Sequence, residues 1–455
     1  MSISVVPLGG AKEIGGSSYL FEFDGELVLV DCGLRPGVSR DDPDYLTKVV
    51  PNLDLIKKTP VCVVTTHGHL DHAGASPTFS RMFPGVPNYM SEETRAFSSL
   101  QWNDTLKIDR DRPHLRVFSE GDVTACQKAV RPLPIGGCID LGHGISVEAI
   151  RAGHILGAIS PKFKFKGKTI FVSGDFSCQD QTVISGANFD GIKVDFVLSE
   201  ATYLARSRQS FGIEKGRFIA DVLSVLRRGG KVLIPAFSIG RSQEVYQILR
   251  ESGLFEQFDI WIDGGATYTS KVSLRYLPDK IDPDIEKHFV SKEDRGAHRH
   301  NICHDDKPCV VIVPSGMLEG GYAISYTRAW IGGNKNALMF TGYLDPNTLG
   351  YRVCYSRDGD EFDFPIIKRS RDGEITKIIP VARVRHCLIP DPYQFSAHAA
   401  HEDLLATWRG LNPKKLVLVH GSPENINWAV QNPNEILPGA EVIGPQNGER
   451  IILEP

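Results

Sequence analysis

The sequence has no long apolar run, no excess of either charge and no paired cysteine motif. No stretch approaches the roughly 18 uninterrupted apolar residues of a membrane span, so no membrane partner is expected. The N-terminal MSISVVPLGGAKEIGG lacks the charged start, apolar stretch and small-residue cleavage site of a secretory leader. The nine cysteines are scattered, odd in number and without a CxxC pair. That pattern argues against a disulfide framework and fits a reducing compartment, so a cytoplasmic protein is expected. Lys+Arg is 51 against Asp+Glu 55, a formal net charge of −4. A nucleic-acid partner would therefore have to be held in a local groove rather than by bulk charge. There is no internal repeat, low-complexity tract or obvious flexible linker. What is present is ordinary for a packed chain: 455 residues, 41% hydrophobic and 23% charged. Those values exclude long disorder and collagen-like repeats, and the length suggests two or three domains.

The first half reads as short strands separated by turns. FEFDGELVLVDCG (21–33) is a hairpin through Asp24-Gly25. VCVVTT (61–66) is a buried β-branched strand, ISVEAIRAGH (145–154) alternates, and KFKFKGKTIFVSGD (162–175) is a hairpin through Gly167-Lys168. Segments 91–109 and parts of 40–58 are candidates for helices. After about residue 203 the pattern changes. The short strands KVLIPAF (231–237), PCVVIVPSG (308–316) and NALMFTG (336–342) alternate with helical stretches. In 213–228, Phe218, Val222, Val225 and Leu226 share one face; in 241–252, Val245, Ile248 and Leu249 do. Such alternation implies a parallel sheet flanked by helices. β-type runs return from about 384, with KLVLVHG (415–421). The expected organisation is one domain interrupted by another: 1–203, an insertion at 204–383, and 384–455.

Chemistry concentrates in TTHGHLDHAG (65–74), where His67, His69, Asp71 and His72 follow a buried strand. Neutral imidazole and carboxylate are the usual zinc donors, and a strand emptying into a Gly-containing loop can aim several at one point. His154, Asp175 and Asp31 each close a strand-like run. A lone strand-end Asp is more often a cap, and a lone His more often a core hydrogen-bonding group. Beside the histidine cluster they read as distant partners of one metal site.

These motifs carry a family resemblance. HGHLDH, AGHILGA around His154 and SGDFS around Asp175 resemble the metal motifs of the metallo-β-lactamase fold, an αββα sandwich. SEATY (199–203), FSAHA (395–399) and LVHGS (418–422) resemble the three further motifs of the β-CASP nucleases. IPAFSIGRSQE (234–244) and PSGMLEGG (314–321) are also similar to theirs. Within the family, the chain resembles the branch that contains the nuclease subunit of the cleavage and polyadenylation specificity factor and its prokaryotic relatives. The resemblance spans nearly the whole chain and keeps the family's motif order.

The resemblance implies an α/β (α+β) fold, a metallo-β-lactamase αββα sandwich with an inserted β-CASP domain. It implies two zinc ions, one held by His67, His69 and His154, the other by Asp71, His72 and His420, with Asp175 bridging. Asp31 matches a support residue for a ligand or its loop. Asp71, His398 and Glu200 match the catalytic set, with His398 as general acid oriented by Glu200. Ser396 resembles a phosphate-pocket position. The implied reaction is hydrolysis of single-stranded RNA by a two-metal-activated hydroxide, leaving a 5′-phosphate and a 3′-hydroxyl. Endonuclease and 5′-to-3′ exonuclease cutting both stay open, as do a homodimer and RNA-processing partner proteins. The short stretch after His420 suits a minimal two-lobe nuclease.

Three other functions compete. DNA-directed relatives generally lack a histidine where His420 stands. A small-ester metallohydrolase would not need the insertion, and a non-catalytic scaffold would be expected to have lost ligands. Two departures from the family pattern stand out: Ala400 and His401 follow SAHA where an acidic residue is usual, and Asn347 replaces a common glycine. Of the remaining features, His298, Arg299, His300, Cys303 and His304 read as a solvated loop rather than a second metal site. Lys162, Lys164, Lys166 and Lys168 read as one solvated strand face, and Lys368, Arg369 and Arg371 as a block too short for a localisation signal.

Overall fold

Alternation along the first strand sets the architecture. In Ile3–Gly9, Ile3 and Val5 enter one hydrophobic cluster while Val6 and Leu8 enter another. Successive strand side chains point to opposite faces, so this strand belongs to a sheet buried on both sides. The computed structural model describes residues 1–291, 294–369 and 375–455; Lys368 and Arg369 are described for backbone only, and Arg371 lies outside the described residues. It separates into two compact units, one of Met1–Asp180, Ile184–Arg208 and Ala397–Pro455, the other of Gln181–Val183 and Gln209–Ser396.

The first unit holds two seven-stranded sheets. One runs Ile451–Glu454, Ile3–Gly9, Ser18–Phe23, Glu26–Val30, Cys62–Val64, Asn88–Met90, Val130–Pro132. The other runs Glu441–Ile443, Lys415–Val419, Phe196–Glu200, Lys168–Val172, Ile159–Phe165, Ile145–Arg151, Cys138–Gly142. Their facing sides share one cluster in which Phe21 and Phe23 of the first sheet meet Phe163 of the second. The outer face of the first sheet is covered by helices Ser76–Met82, Glu92–Ile108 and Glu120–Ala129 through Phe79, Trp102, Val123 and Cys126. Helix His401–Leu411 meets the second sheet where Trp408 Nε1 donates to Ser199 Oγ at 2.9 Å. This is the αββα sandwich. Trp102 also reaches the motif loop, donating from Nε1 to Ala73 O at 2.8 Å. Trp102→Ala is expected to destabilise the protein by about 3–5 kcal/mol, read by chemical denaturation. A loss under about 1 kcal/mol would show that the helical layer is not tied to the sheet as described.

The second unit is built on a parallel sheet ordered Asp259–Ile262, Cys309–Val313, Val232–Pro235, Ala337–Leu338. Helices Phe211–Arg227, Arg241–Glu251, Ala266–Tyr276, Arg295–His304 and Gly321–Trp330 accompany it. Phe218, Val222, Val225 and Leu226 are all buried, as the periodicity predicts. An antiparallel hairpin, Glu361–Arg369 with Ile375–Val384, is the remaining sheet.

Three local expectations need correcting. The hairpin after Ile159–Phe165 turns at Lys166-Gly167, both at positive φ (46° and 80°), rather than at Gly167-Lys168. The four lysines therefore do not line one strand: Lys162 and Lys164 lie on the first strand, Lys166 in the turn, and Lys168 opens the second. Three of them are spent on acids, Lys162 on Glu148 at 2.7 Å, Lys168 on Glu454 at 2.8 Å and Lys166 on Asp24. The His298–His304 segment is a helix, not a loop, because Asp294 caps it by accepting from Ala297 N at 3.2 Å. Among the described residues its histidines join no metal-type cluster.

Candidate metal centre

The side chains of the motif set sit at or beyond the C-terminal ends of strands, in loops beside them, or, for Asp71 and His72, on a short helix after one. Asp31 follows Glu26–Val30, His67 and His69 follow Cys62–Val64, and His154 follows Ile145–Arg151. Asp175 follows Lys168–Val172, Glu200 ends Phe196–Glu200, and His420 follows Lys415–Val419. The backbone bends sharply at these exits. Asp31 and His420 take left-handed φ values of 59° and 48°, a conformation that costs a residue with a side chain and is met at sites that re-aim it. Gly33 lets the Asp71 carbonyl approach so closely that a Cβ there would lie 1.7 Å from it. That contact seats the short helix Leu70–Ala73, which carries Asp71 and His72.

The side chains converge in three overlapping groups, each with donor atoms within 4.8 Å of one another: His67, His69, His154, Asp175; Asp71, His72, His420; and Asp175, Glu200, His398, His420. His69 Nδ1 is 3.1 Å from both His67 Nε2 and His154 Nε2. Asp175 Oδ2 is 3.7 Å from each of those two Nε2 atoms. Corners of a tetrahedron with metal–nitrogen arms of about 2.1 Å lie roughly 3.4 Å apart, so this spacing is that of a four-coordinate ligand set. The other carboxylate oxygen faces the second group: Asp175 Oδ1 is 3.3 Å from His72 Nε2 and 3.5 Å from His420 Nδ1. Asp71 Oδ2 is 3.4 Å from His420 Nε2 and 3.9 Å from His72 Nε2. Asp175 Oδ1 is buried with no hydrogen-bond partner among the described residues. A buried carboxylate oxygen ringed by imidazole nitrogens fits a cation-binding site.

Outer contacts hold the rings. Asp31 Oδ2 faces His72 Nδ1 at 2.8 Å, and its two oxygens accept from Thr66 N at 2.7 Å and Thr66 Oγ1 at 2.8 Å. His154 Nδ1 faces the Ala397 carbonyl at 2.8 Å, so donation there leaves the Nε2 lone pair for a metal. Thr202 Oγ1 lies 3.0 Å from His420 Nδ1. Burial, reinforced by neighbouring histidines, holds His67 and His154 well below the usual imidazole range, which keeps them neutral as ligation requires. Burial opposes charge on His72 as well, but the carboxylates of Asp175, Asp31 and Asp71 outweigh it and raise His72 well above the usual range.

Within the third group, His398 and Glu200 face each other directly. His398 Nδ1 is 2.8 Å from Glu200 Oε2, while Glu200 Oε1 accepts from Phe176 N at 2.8 Å. His398 Nε2 then points inward, 3.9 Å from Asp175 Oδ2. Burial alone would lower its pKa, but Glu200 and Asp175 prevail and push it up to about 9. Ser396 is half-buried. Where the family's acidic residue is missing, Ala400 caps helix His401–Leu411 and Asp403 turns back toward its backbone.

Several contributors carry no role in the motif reading. Thr66 and Thr202 lie within TTHGHLDHAG and SEATY, hydroxyls placed beside the ligands. Arg208 donates from Nη1 to the His398 carbonyl at 3.1 Å, a contact with no local signal. The Ala397 carbonyl is backbone, invisible to any reading by residue type.

Family models match in the same order as the motifs. The metallo-beta-lactamase superfamily matches residues 11–184, the Beta-Casp domain 244–353, and the Zn-dependent metallo-hydrolase RNA specificity domain 391–432. The chain belongs to the β-CASP family of metallo-β-lactamase-fold nucleases. As a β-CASP protein it is a metal-dependent phosphodiesterase with a metal-binding site. Integrator complex subunit 11 of Danio rerio is 27% identical over 442 residues, covering 94% of this chain and 70% of that protein. Cleavage and polyadenylation specificity factor subunit 3-II of Arabidopsis thaliana is 28% identical, covering 92% and 68%. Transcription termination factor FttA of Cenarchaeum symbiosum (strain A) is 29% identical, covering 94% and 68%. A crystal structure of a protein of unknown function from Enterococcus faecalis V583 superposes with TM-score 0.61 over 99% of this β-CASP chain and 100% of its own, at 16% identity. At that identity the likeness speaks for the fold alone. Among the described residues, no helix of this β-CASP protein is long and apolar enough to cross a membrane.

Asp31→Ala is expected to lower metal affinity about 10–100-fold by freeing the His72 ring, read by chelator competition. Unchanged affinity would remove Asp31 from the ligand-supporting set.

Proposed function

We infer that this β-CASP protein is a zinc-dependent ribonuclease that hydrolyses single-stranded RNA and leaves 5′-phosphate and 3′-hydroxyl ends. One observation carries the reading: the two oxygens of Asp175 face two different donor groups, the arrangement a carboxylate shared by two cations needs. His67, His69 and His154 would hold one zinc and Asp71, His72 and His420 the other. Two zinc ions there would lower the pKa of a water toward about 7 and neutralise charge on the non-bridging phosphate oxygens.

The chain's own residues supply the rest. Asp31 and Thr66 keep His72 turned toward the centre. His398 carries a proton on Nε2, aimed at the centre, and gives it to the ribose oxygen as that oxygen leaves. Glu200 holds the ring by Nδ1 and favours the protonated form. Ser396 is assigned a place beside the phosphate on the resemblance alone. RNA as substrate rests on the matched RNA specificity domain and on the histidine at 420. Two of the relatives are named as subunits of larger factors, and we extend that to this chain as an expectation of protein partners.

The pH dependence has a definite sign. A general acid must be protonated, so activity falls as pH rises through the His398 pKa. Removing the Glu200 charge takes away a term that raises it. Glu200→Gln is expected to move the alkaline limb of kcat to lower pH, by about a unit or more. A limb that stays in place would separate Glu200 from the acid. The substrate test uses end-labelled RNA bearing 5′-hydroxyl or 5′-monophosphate, beside DNA of the same sequence. Internal products from both RNAs report endonuclease cutting, and mononucleotides from the monophosphate form alone report 5′-to-3′ digestion. DNA cut as fast as RNA would contradict the ribonuclease assignment.

A further inference from the structure

Among the described residues, no side chain of the family-like segments IPAFSIGRSQE and PSGMLEGG joins the three donor groups. Both lie in the second unit, just after strands Val232–Pro235 and Cys309–Val313. Because the sheet is parallel, these exits and that of Asp259–Ile262 share one edge. In open parallel sheets that C-terminal edge is where ligands bind. Three large aromatic side chains stand exposed there: Phe237 (42%), Tyr268 (42%) and Tyr322 (40%). Their backbones are stitched together. Thr269, beside Tyr268, donates from Oγ1 to the carbonyl of Ser238, next to Phe237, at 2.6 Å. A Cβ on Gly264 would sit 3.7 Å from Tyr322 Cδ2.

Tyr322 is held by buried charge. The Arg299 guanidinium carbon lies 3.2 Å from the centre of its ring. Arg299 is itself gripped by Asp263, Nη2 to Oδ1 at 2.8 Å with Nε on Oδ2. Tyr326 Oη donates to the same Asp263 carboxylate at 3.2 Å. Asp263 is 2% exposed. Burying the Asp263 carboxylate against a largely covered arginine costs free energy, and here the pair fixes one half-exposed ring rather than filling a core. A flat cation under one face leaves the other as a rigid surface.

The surroundings favour a polyanion with flat bases. Helices Arg241–Glu251, Ala266–Tyr276 and Gly321–Trp330 all start at this edge on a glycine, which has no side chain to cap them, although at the first Gln243 Oε1 accepts from Gly240 N at 2.8 Å. Helix N-termini carry partial positive charge. Other helix starts are of both kinds: Ser91, Ser119, Thr348 and Ser422 cap theirs with side-chain oxygens, while those at Ser210 and Ala400 have no such cap. Aromatic faces that stack bases beside positive potential that follows phosphates are the recurring composition of a single-strand binding surface.

We propose that Tyr322, backed by Arg299 and flanked by Phe237 and Tyr268, is a base-stacking platform for single-stranded RNA on the edge of the parallel sheet. The proposal rests on the ribonuclease reading and adds a place where bases, not phosphates, are bound. Its test is binding of oligoadenylate and of a ribose-phosphate oligomer of equal length lacking bases, with the zinc-loaded His398→Ala protein as parent to slow cutting. The parent binds oligoadenylate about ten-fold or more tighter than the base-free oligomer. Adding Tyr322→Ala removes most of that preference, and Tyr322→Phe keeps it. A preference undiminished by Tyr322→Ala, or no preference in a parent whose wild type cuts RNA, overturns the platform and leaves the nuclease reading standing. RNA neither bound by the parent nor cut by wild type overturns both.

Discussion

Asp175→Asn is expected to abolish turnover, by about 10⁴-fold or more, together with loss of bound zinc. Asparagine keeps the shape of the side chain but offers no charge and only one oxygen acceptor. In the wild type each carboxylate oxygen serves a different group, Oδ2 toward His67 and His154 and Oδ1 toward His72 and His420. The amide therefore fails both groups at once, whereas loss of His69 or Asp71 removes a donor from one. Elemental analysis after dialysis, beside the initial rate on RNA, reads both effects. Full zinc content with near-normal rates would mean that Asp175 is a buried structural acid and that the two groups are independent.

His398→Ala is expected to give a different pattern: zinc retained, with turnover down about 10²–10⁴-fold. The ring is tied to Glu200 and directs Nε2 at the centre, but it lies 3.9 Å from the nearest Asp175 oxygen. In the proposed mechanism it contributes a proton rather than a coordination bond. A substrate with a good leaving group needs less protonation, so the variant's defect should shrink on an aryl phosphodiester compared with RNA. An equal defect on both substrates, or zinc lost along with activity, would take away the general-acid role. The two variants are thus distinguishable by metal content even where both are nearly inactive.

Much of this site was legible because its parts lie at strand ends. A β-branched run followed by HGHLDH announces both the strand and where it stops. Residue type says little about orientation, however. That the Ala397 carbonyl faces His154 Nδ1, or that Arg208 reaches the His398 carbonyl, depends on chain brought back from far along the sequence. The lysine row failed for a sharper reason. A hairpin already divides the segment, and with its turn at Lys166-Gly167 only Lys162 and Lys164 share a strand, Lys166 lying in the turn and Lys168 opening the next. The His298–His304 helix was missed because its apolar signal is thin; Ile302 is its one fully buried side chain, and Asp294 as a cap was the available clue. The parallel sheet of the second unit was readable from strands alternating with amphipathic helices. The exposed aromatics on its edge were not, since an exposed Phe or Tyr looks in sequence like any core residue.

Zinc bound per chain, measured by elemental analysis of wild-type protein incubated with excess zinc and then desalted, goes most directly to the paired centre. Two equivalents are expected, falling on Asp175→Asn. A wild-type value of zero or one would contradict a centre built to hold two ions across one carboxylate.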